Sequence, residues 1–244
     1  MLLRIEDIDH GRCRPEFEAA LREDLRWLGL TWEEPVRRQS EHLDVYAAAV
    51  ETLIARGLLY RCFRSRREQL AAIASAPHDA PPVSSIGPHS ASEEAARLAG
   101  GEPYAWRLSL DAALRAIGGV QLHFEETGKG PHGERGVVAI QPEGLGDVIV
   151  ARKDLGVSYH LAVVVDDAAQ AVTCVTRGCD LFEATHVQRL LQALLDLPTP
   201  AYHHHRLILR ADGRRFAKRD TAETLRSLRE SGVTPAELRR ELGF

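Results

Sequence analysis

The sequence has few cysteines and lacks the long apolar segments that membrane proteins need. Its four cysteines, Cys13, Cys62, Cys174 and Cys179, are scattered, without a C-x-x-C pair or a disulfide-like spacing. Such a pattern is typical of the reducing cytoplasm, where we expect the protein to be found. No apolar run is long enough to span a bilayer and no signal peptide precedes the first strand, so we expect no contact with a membrane.

The excess of one sign of charge over the other is also small. The formal net charge of −4 over 244 residues argues against indiscriminate binding of nucleic acid, although it allows a local basic surface. Arginine and lysine are indeed concentrated in residues 61–67 and 206–219. The length predicts one domain, or one domain with a sizeable insertion, and the sequence contains no internal repeat.

The first quarter of the chain alternates between strand and helix patterns. Residues 2–9 read as a strand that runs into a cluster of acids. A helix is expected from Pro15 to about Gly29, Ser40 is positioned to cap a second helix, and residues 58–63 form a strand. The order strand, helix, helix, strand predicts a parallel sheet with helical crossovers.

The composition changes in the middle of the chain. Proline and glycine interrupt any regular element between residues 76 and 101. Short strands are expected around Trp106 and over residues 121–125 and 137–140, separated by glycine-rich turns. The turn at 128–130 is too short for a phosphate-binding loop. We interpret residues 64–145 as an insertion between two halves of a sheet.

Regular patterning resumes afterwards. Residues 159–165 are apolar on both faces, which predicts a buried central strand that Asp166 and Asp167 end. A strand is expected over residues 171–176, a helix capped by Thr185, and a further strand over residues 203–209.

Three side chains could form a pocket for an amino acid. Glu6 follows the first strand, and a carboxylate there can hold an ammonium group. Arg177, expected just beyond a strand, can bind a carboxylate in a bidentate way, and Tyr159 offers an aromatic wall with a polar tip. Each residue taken alone fits a surface ion pair, or a tyrosine at the rim of the fold, better than a binding site.

A basic loop and two histidine-containing groups remain open to more than one interpretation. Residues 212–220 carry four cations, which could neutralise a polyphosphate during its cleavage or simply be solvated. Two groups could be considered as metal sites: His203 with His205 on one face of a strand, and Cys62 with His89. Neither has further ligands at a clear metal spacing, so no metal site is predicted.

Five segments in order resemble the glutamyl-tRNA synthetase family of class I synthetases, and most of all its short members, the glutamyl-Q tRNA(Asp) synthetases. Residues 4–9 resemble the family's R-x-E-D-T/I-D segment, and residues 215–219 its K-M-S-K-S loop. Residues 159–167 and 177–181 are closer matches, and residues 27–30 with 57–62 add a weaker one. The resemblance covers nearly the whole chain. It implies an α/β fold, a Rossmann-like class I aminoacyl-tRNA synthetase catalytic domain with a connective insertion, N-terminally incomplete.

The resemblance also implies a division of the chain. Residues 1–63 would form the truncated first half of the catalytic domain, and residues 64–145 a connective, acceptor-type insertion. Residues 146–220 would form the second half with the K-M-S-K-S-like loop, and residues 221–244 a helical tail.

The function that the resemblance implies is a tRNA modification. ATP would activate glutamate to glutamyl-adenylate without need of tRNA, and the glutamyl group would pass to queuosine in the anticodon of tRNA(Asp). Glu6 would hold the amino group of glutamate, Tyr159 and Arg177 would complete the glutamate site, and Lys218 would bind the ATP phosphates and act catalytically. The expected partners are glutamate, ATP with Mg²⁺, and tRNA(Asp), and the expected state is a monomer.

The sequence departs from the family pattern at three places. The family's first strand and HIGH-type ATP motif are not found, and the chain begins just after their expected position. Arg215 and Ala217 replace a lysine and the serine of the K-M-S-K-S loop, whereas Lys218 is retained. Family members often bind zinc through C-x-C and Y-x3-C, but Cys62 is followed by Phe63-Arg64, so zinc is not expected. A fragment of a glutamyl-tRNA synthetase and a non-catalytic tRNA- or amino-acid-binding remnant remain the alternatives.

Overall fold

The computed structural model describes residues 1–9, 11, 13–64, 68, 87–152, 156–209 and 224–243. The chain divides into two compact units. The first comprises Met1–His42 and Ile208–Phe244, and the second comprises Leu43–Leu207. In the described part of the chain, no helix is both long and apolar enough to cross a membrane.

The first unit joins the two ends of the chain. Its strands β1 (Arg4–Ile5) and β2 (Arg37–Arg38) pair in parallel, and helix α1 (Pro15–Trp27) lies between them in the sequence. Pro15 occupies the first helical position, which confirms the predicted helix start. In the last segment of this unit, helices α7 (Leu225–Glu230) and α8 (Pro235–Leu242) both begin with capping boxes, and Arg229 of α7 pairs with Glu23 of α1 at 3.0 Å.

The second unit contains a three-stranded antiparallel sheet. Strand β4 (Ala105–Leu108) lies between β3 (Leu59–Cys62) and β7 (Val148–Arg152), which confirms the strands predicted at residues 58–63 and around Trp106. The predicted parallel pairing is wrong for β3. After helix α3 (Ala91–Ala99) the chain returns along β3 in the opposite direction and forms the antiparallel pair.

A second, four-stranded sheet has the order β6-β5-β9-β8. The hairpin of β5 (His123–Glu126) and β6 (Gly136–Ala139) is antiparallel, and β9 (Ala201–His205) pairs in parallel with both β5 and β8 (Cys174–Gly178). Strand β5 belongs to the segment interpreted as an insertion, yet it pairs directly with a later strand. The domain boundaries at residues 63, 145 and 220 stay predictions.

The core of the second unit contains helices α2 (Leu43–Ala55), α5 (Tyr159–Ala169) and α6 (Phe182–Leu194). The shorter α4 (Leu110–Ala116) contacts α6. The prediction of a strand over residues 159–165 is wrong, because this segment forms α5. Ser158 caps the helix, and every residue from Leu161 to Asp167 is buried. A helix buried on all sides has no polar stripe, so its sequence pattern cannot be distinguished from that of a central strand.

Three further boundaries differ from prediction. Asp166 and Asp167 do not end a strand but lie inside α5, where the buried carboxylate of Asp166 accepts a hydrogen bond from the Tyr46 hydroxyl at 2.8 Å. Thr185 does not cap a helix, since α6 begins three residues earlier, directly after a 3₁₀ turn. Ser40 belongs to another 3₁₀ turn and its backbone N–H and hydroxyl donate to Asp7 instead.

The limits of two strands also differ from prediction, by two to four residues. The strand predicted at 171–176 is β8 (Cys174–Gly178), so Arg177 lies within a strand rather than beyond it. The strand predicted at 203–209 is β9 (Ala201–His205), whose inward face carries Tyr202 and His204.

Candidate functional site

The acidic cluster after β1 contains two carboxylates with different surroundings. Glu6 has a side chain that is 40% exposed and accepts a hydrogen bond from Arg4 at 3.2 Å. Asp7 is buried and accepts from the Arg38 guanidinium at 3.0 Å and from the backbone N–H and hydroxyl of Ser40 at 2.9 and 2.8 Å. Burial works to raise the pKa of Asp7, but these hydrogen bonds outweigh it and hold the pKa below its usual value.

Arg38 is the centre of this arrangement. Its second terminal nitrogen donates to Glu18 of α1 at 2.6 Å, so two carboxylates share one guanidinium. Desolvation opposes the charged form of Glu18, yet its pKa is lowered by the bonds from Arg38 and Arg22. The positive charge of Arg38 is therefore neutralised within the first unit. We interpret Asp7, Arg38 and Glu18 as a structural ion cluster.

Tyr159 and Arg177, two of the three predicted glutamate-binding residues, belong to the second unit, whereas Glu6 belongs to the first. Tyr159 is the first residue of α5 and is 39% exposed, with its ring edge-on to that of His160 at a centroid distance of 5.7 Å. Burial, and then the charge of Arg177, lower the pKa of His160.

The guanidinium of Arg177 is held by three uncharged acceptors. Its Nε donates to His204 Nε2 at 3.0 Å, one terminal nitrogen to Gln188 Oε1 at 2.8 Å and the other to Thr185 Oγ1 at 2.6 Å. Its guanidinium carbon, Cζ, also lies 5.1 Å from the ring centre of Tyr202. These bonds use three of the five N–H groups of an arginine. Among the described residues, no carboxylate lies within ion-pair distance of Arg177, so its charge is available to a ligand.

His204 is in turn bonded to a buried carboxylate. Its Nδ1 lies 2.5 Å from Glu126 Oε2, and both side chains are fully enclosed. The other oxygen of Glu126 accepts the backbone N–H groups of His204 at 3.0 Å and Gly128 at 2.8 Å. Burial opposes the charge of Glu126, but the bonds from His204 and Gly128 lower its pKa overall. Burial also lowers the pKa of His204, against the attraction of Glu126.

The hydrogen bonds fix the charge states of this group. Arginine can only donate, so His204 Nε2 must accept and the imidazole proton must be on Nδ1, directed at Glu126. Glu126 accepts all of these bonds and is therefore ionised. An anion, a neutral imidazole and a cation follow one another across β5, β9 and β8. We call Glu126, His204 and Arg177 the buried triad.

Cys62 and His89, the two residues weighed as zinc ligands, do not fit a zinc ion. Cys62 is buried, and His89 packs edge-on against Phe63 at 5.8 Å. Burial and the nearby charges of Arg64 and Arg97 lower the pKa of His89, and the same cations disfavour Zn²⁺. Among the described residues there is no group of three histidine, cysteine, aspartate or glutamate side chains that could hold a metal.

The neighbourhood of these residues is built from rings and an arginine instead. The guanidinium carbon of Arg61 lies 4.6 Å from the ring centre of Trp106 and 5.4 Å from that of Tyr104, and Arg61 pairs with Glu94 at 2.6 Å. A cation between aromatic faces supplies the cross-strand contact that β3 and β4 need. We derive no role for zinc in this protein.

Sequence reasoning found one member of the buried triad and missed the other two. The sequence pattern places His203 and His205 on one face of a strand and assigns no role to His204 between them. The alternation along β9 could have identified His204 as the inward residue. Glu126 carried no motif, and Thr185 was interpreted as a helix cap. Lys218, the predicted catalytic residue, lies outside the described residues.

Comparisons with known proteins agree with the resemblance read from the sequence. A family model for class I tRNA synthetases (E and Q), catalytic domain, matches residues 1–243. A glutamyl-Q tRNA(Asp) synthetase of Rhodobacter capsulatus is 47% identical over 250 residues, which cover 100% of this chain and 87% of that protein. A protein of the same name from Symbiobacterium thermophilum is 39% identical and is covered to 75%. A glutamate–tRNA ligase of Parasynechococcus marenigrum is 36% identical over 48% of its length.

Solved structures agree on the fold. A glutamate–tRNA synthetase from Elizabethkingia anophelis superimposes with a TM-score of 0.66 at 22% identity, and a second from Elizabethkingia meningosepticum with a TM-score of 0.65. The chain spans about half the length of these two proteins, 47% and 46%. The predicted fold class, a Rossmann-like class I synthetase catalytic domain, is thereby confirmed. The chain belongs to the family of class I tRNA synthetases (E and Q) and, through its match to their catalytic domain, is a class I aminoacyl-tRNA synthetase-like ligase.

Proposed function

We propose that this protein activates glutamate with ATP to form glutamyl-adenylate and transfers the glutamyl group to queuosine in the anticodon of tRNA(Asp). The names of the relatives that are 47% and 39% identical along the whole chain support this choice of tRNA. A cytoplasmic location belongs to the same proposal, because tRNA is found there and all four cysteines are free thiols.

The observation that carries the proposal is the environment of Arg177. Its guanidinium is oriented by three uncharged partners, at 2.6 to 3.0 Å, and keeps two N–H groups for which the described residues provide no acceptor. A carboxylate matches a guanidinium with two N–H groups left to donate, because it is negatively charged and planar. Glutamate offers two carboxylates, and we assign one of them to Arg177.

The remaining roles follow from the resemblance and from chemical type. From the resemblance of residues 4–9, Glu6 is assigned to the ammonium group of glutamate. From that of residues 159–167, Tyr159 is assigned to a hydrogen bond with glutamate. In the activation step the α-carboxylate of glutamate attacks the α-phosphorus of ATP, the bond to the β-phosphate oxygen breaks, and pyrophosphate leaves. Lys218 binds the ATP phosphates and stabilises the negative charge that develops on them, and Mg²⁺ is expected to accompany ATP. The protein contributes positioning and electrostatics.

A glutamyl-tRNA synthetase-like reaction is the second candidate, because several glutamate–tRNA ligases are 34 to 36% identical to this chain. The two reactions share the adenylate and differ in the acceptor. One glutamylates queuosine in tRNA(Asp), and the other glutamylates the 3′ end of tRNA(Glu).

The test is glutamate-dependent exchange of pyrophosphate into ATP in the absence of tRNA. We expect exchange with glutamate and little with glutamine or aspartate, since these lack the second carboxylate or place it one methylene closer. Radiolabelled glutamate should then attach to tRNA(Asp) that contains queuosine and not to a matched tRNA(Asp) without it. Attachment to the 3′ end of tRNA(Glu) would favour the second candidate, and no exchange with any amino acid would contradict both.

A further inference from the structure

In the buried triad, Arg177 is oriented by a histidine, and that histidine is bonded in turn to a carboxylate. Direct pairing with a carboxylate, as Arg38 shows, is simpler and neutralises the charge. Arg177 instead donates only to uncharged acceptors. The anion that compensates its charge, Glu126, is bonded to the opposite nitrogen of the His204 imidazole. This arrangement fixes the plane of the guanidinium while leaving its charge for a ligand.

We propose that Glu126 and His204 are positioning residues for glutamate binding, which act by locking His204 in the tautomer that accepts the Arg177 Nε–H. The proposal rests on the function proposed above for Arg177. Neither residue touches the substrate. Glu126 determines which imidazole nitrogen carries the proton, and that nitrogen determines whether Arg177 is held in its binding orientation.

The surroundings of Glu126 explain why its contribution is specific. Oε1 accepts two backbone N–H groups, from His204 and Gly128, so Oε2 is committed to the imidazole. Glycine is required at position 128, because a Cβ there would collide with the backbone of His204 and come within 2.9 Å of the Glu126 carboxylate. The loop after β5 therefore closes directly over the pair and excludes water from it.

Two residues of helix α6 also restrict the orientation of the Arg177 side chain. Thr185 and Gln188 are 0% and 1% exposed, and their oxygens accept from the two terminal nitrogens. The Nε2 group of Gln188 is buried, and the described residues provide no hydrogen-bond partner for it. Its oxygen is thus directed at Arg177 although its amide nitrogen remains unsatisfied, a cost that structural packing alone does not explain.

The decisive variant is Glu126→Gln. The glutamine oxygen can keep both backbone bonds, so its amide nitrogen must face His204 Nδ1. An amide nitrogen can only donate, and the imidazole proton therefore moves to Nε2, where it opposes the Arg177 Nε–H. All groups around residue 126 remain satisfied, and we expect a folded protein with a misplaced Arg177. The matched control is Glu125→Gln, the same change one residue earlier on β5, at an exposed position.

We expect Glu126→Gln to raise the KM for glutamate at least about tenfold in pyrophosphate exchange, while the KM for ATP changes little, because a bond to a charged group is lost. Glu125→Gln should behave as the unmodified protein. Nitrogen-15 spectra of the imidazoles provide the direct readout. His204 should be protonated on Nδ1 in the unmodified protein and on Nε2 in Glu126→Gln.

Two results would overturn the proposal. One is His204 protonated on Nε2 in the unmodified protein, and the other is a KM for glutamate in Glu126→Gln equal to that of Glu125→Gln. Arg177→Ala separates the two levels of inference. If it raises the KM for glutamate while Glu126→Gln does not, the positioning role fails and the proposed function stands. If Arg177→Ala leaves glutamate binding unchanged, the proposed role of Arg177 fails as well.

Discussion

Two arginines, one in each unit, are held by hydrogen bonds of similar length and differ in what accepts those bonds. Arg38 donates to the carboxylates of Asp7 and Glu18, at 3.0 and 2.6 Å. Arg177 donates to an imidazole, an amide and a hydroxyl, at 3.0, 2.8 and 2.6 Å. The first arginine has its charge neutralised, whereas the second is oriented with its charge intact. The type of acceptor, rather than the number of bonds, distinguishes a structural arginine from one that can bind an anion.

The largest expected effect concerns the planar fork of Arg177. Arg177→Lys keeps the charge but cannot donate to three partners and a ligand in one plane. We expect kcat/KM for glutamate to fall about 100-fold, which corresponds to roughly 2.7 kcal/mol. Pyrophosphate exchange at varied glutamate concentration measures this change.

The control for this substitution is Arg115→Lys, which alters an exposed arginine of α4 in the same unit. Its kcat/KM for glutamate should be unchanged. Equal values for the two variants would show that charge alone suffices at position 177, and the contrast with Arg38 would then have no functional meaning.

A smaller effect is expected where the arginine is paired directly. Asp7→Asn removes an anion that is 8% exposed and bonded to Arg38 and Ser40. We expect the free energy of unfolding to fall by about 2 kcal/mol, measured by urea denaturation. Glu16→Gln, at an exposed pair 3.8 Å long in the same unit, should change it by less than about 0.5 kcal/mol. A loss for Asp7→Asn no greater than for Glu16→Gln would remove the structural role of the ion cluster.

The smallest effect separates the two clusters by pH. The pKa of His204 is lowered from 6.5, so its contribution to stability is complete above pH 6.5 and is lost as the pH falls toward the lowered pKa. The pKa values of Asp7 and Glu18 are lowered from 3.8 and 4.5, so their contribution is lost only at more acidic pH. Denaturation between pH 7 and pH 3 should therefore show two regions of decline.

Substitution assigns these regions. His160 and His186 also have lowered pKa values and add to the first region. His204→Gln should reduce the slope that begins below pH 6.5, and Asp7→Asn should reduce it only below pH 3.8. If both variants changed the same region, the charge states assigned to the buried triad would be incorrect.

The sequence was informative where an element has two different faces or a distinct boundary. Pro15 predicted the start of α1, and the glycine-rich turns around residues 121–125 and 137–140 predicted the short strands β5 and β6. It was misleading for α5, since the five apolar residues Leu161–Val165 fit a buried helix and a buried strand equally. Ser158, which caps α5 through a bond from the Leu161 N–H, was the available signal for a helix.

Only those site residues whose side-chain chemistry suggests a ligand could be predicted from the sequence. Arg177 could be selected because a guanidinium near a strand end suits a carboxylate. Its partners could not, because Glu126 lies 78 positions before His204 and only the parallel pairing of β5 with β9 brings the two together. Residues so far apart in sequence form no local pattern, and the contact between Glu126 and His204 exists only once the sheet has formed.

The position of Glu126 has a consequence for protein engineering. Segment 64–145 would be an obvious unit to exchange between relatives, since the sequence marks it as an insertion. It carries the carboxylate that sets the proton on His204, together with the glycine that closes over it. A chimera with a foreign segment would therefore keep the proton of His204 on Nδ1 only if residues 126, 128 and 204 came from the same parent.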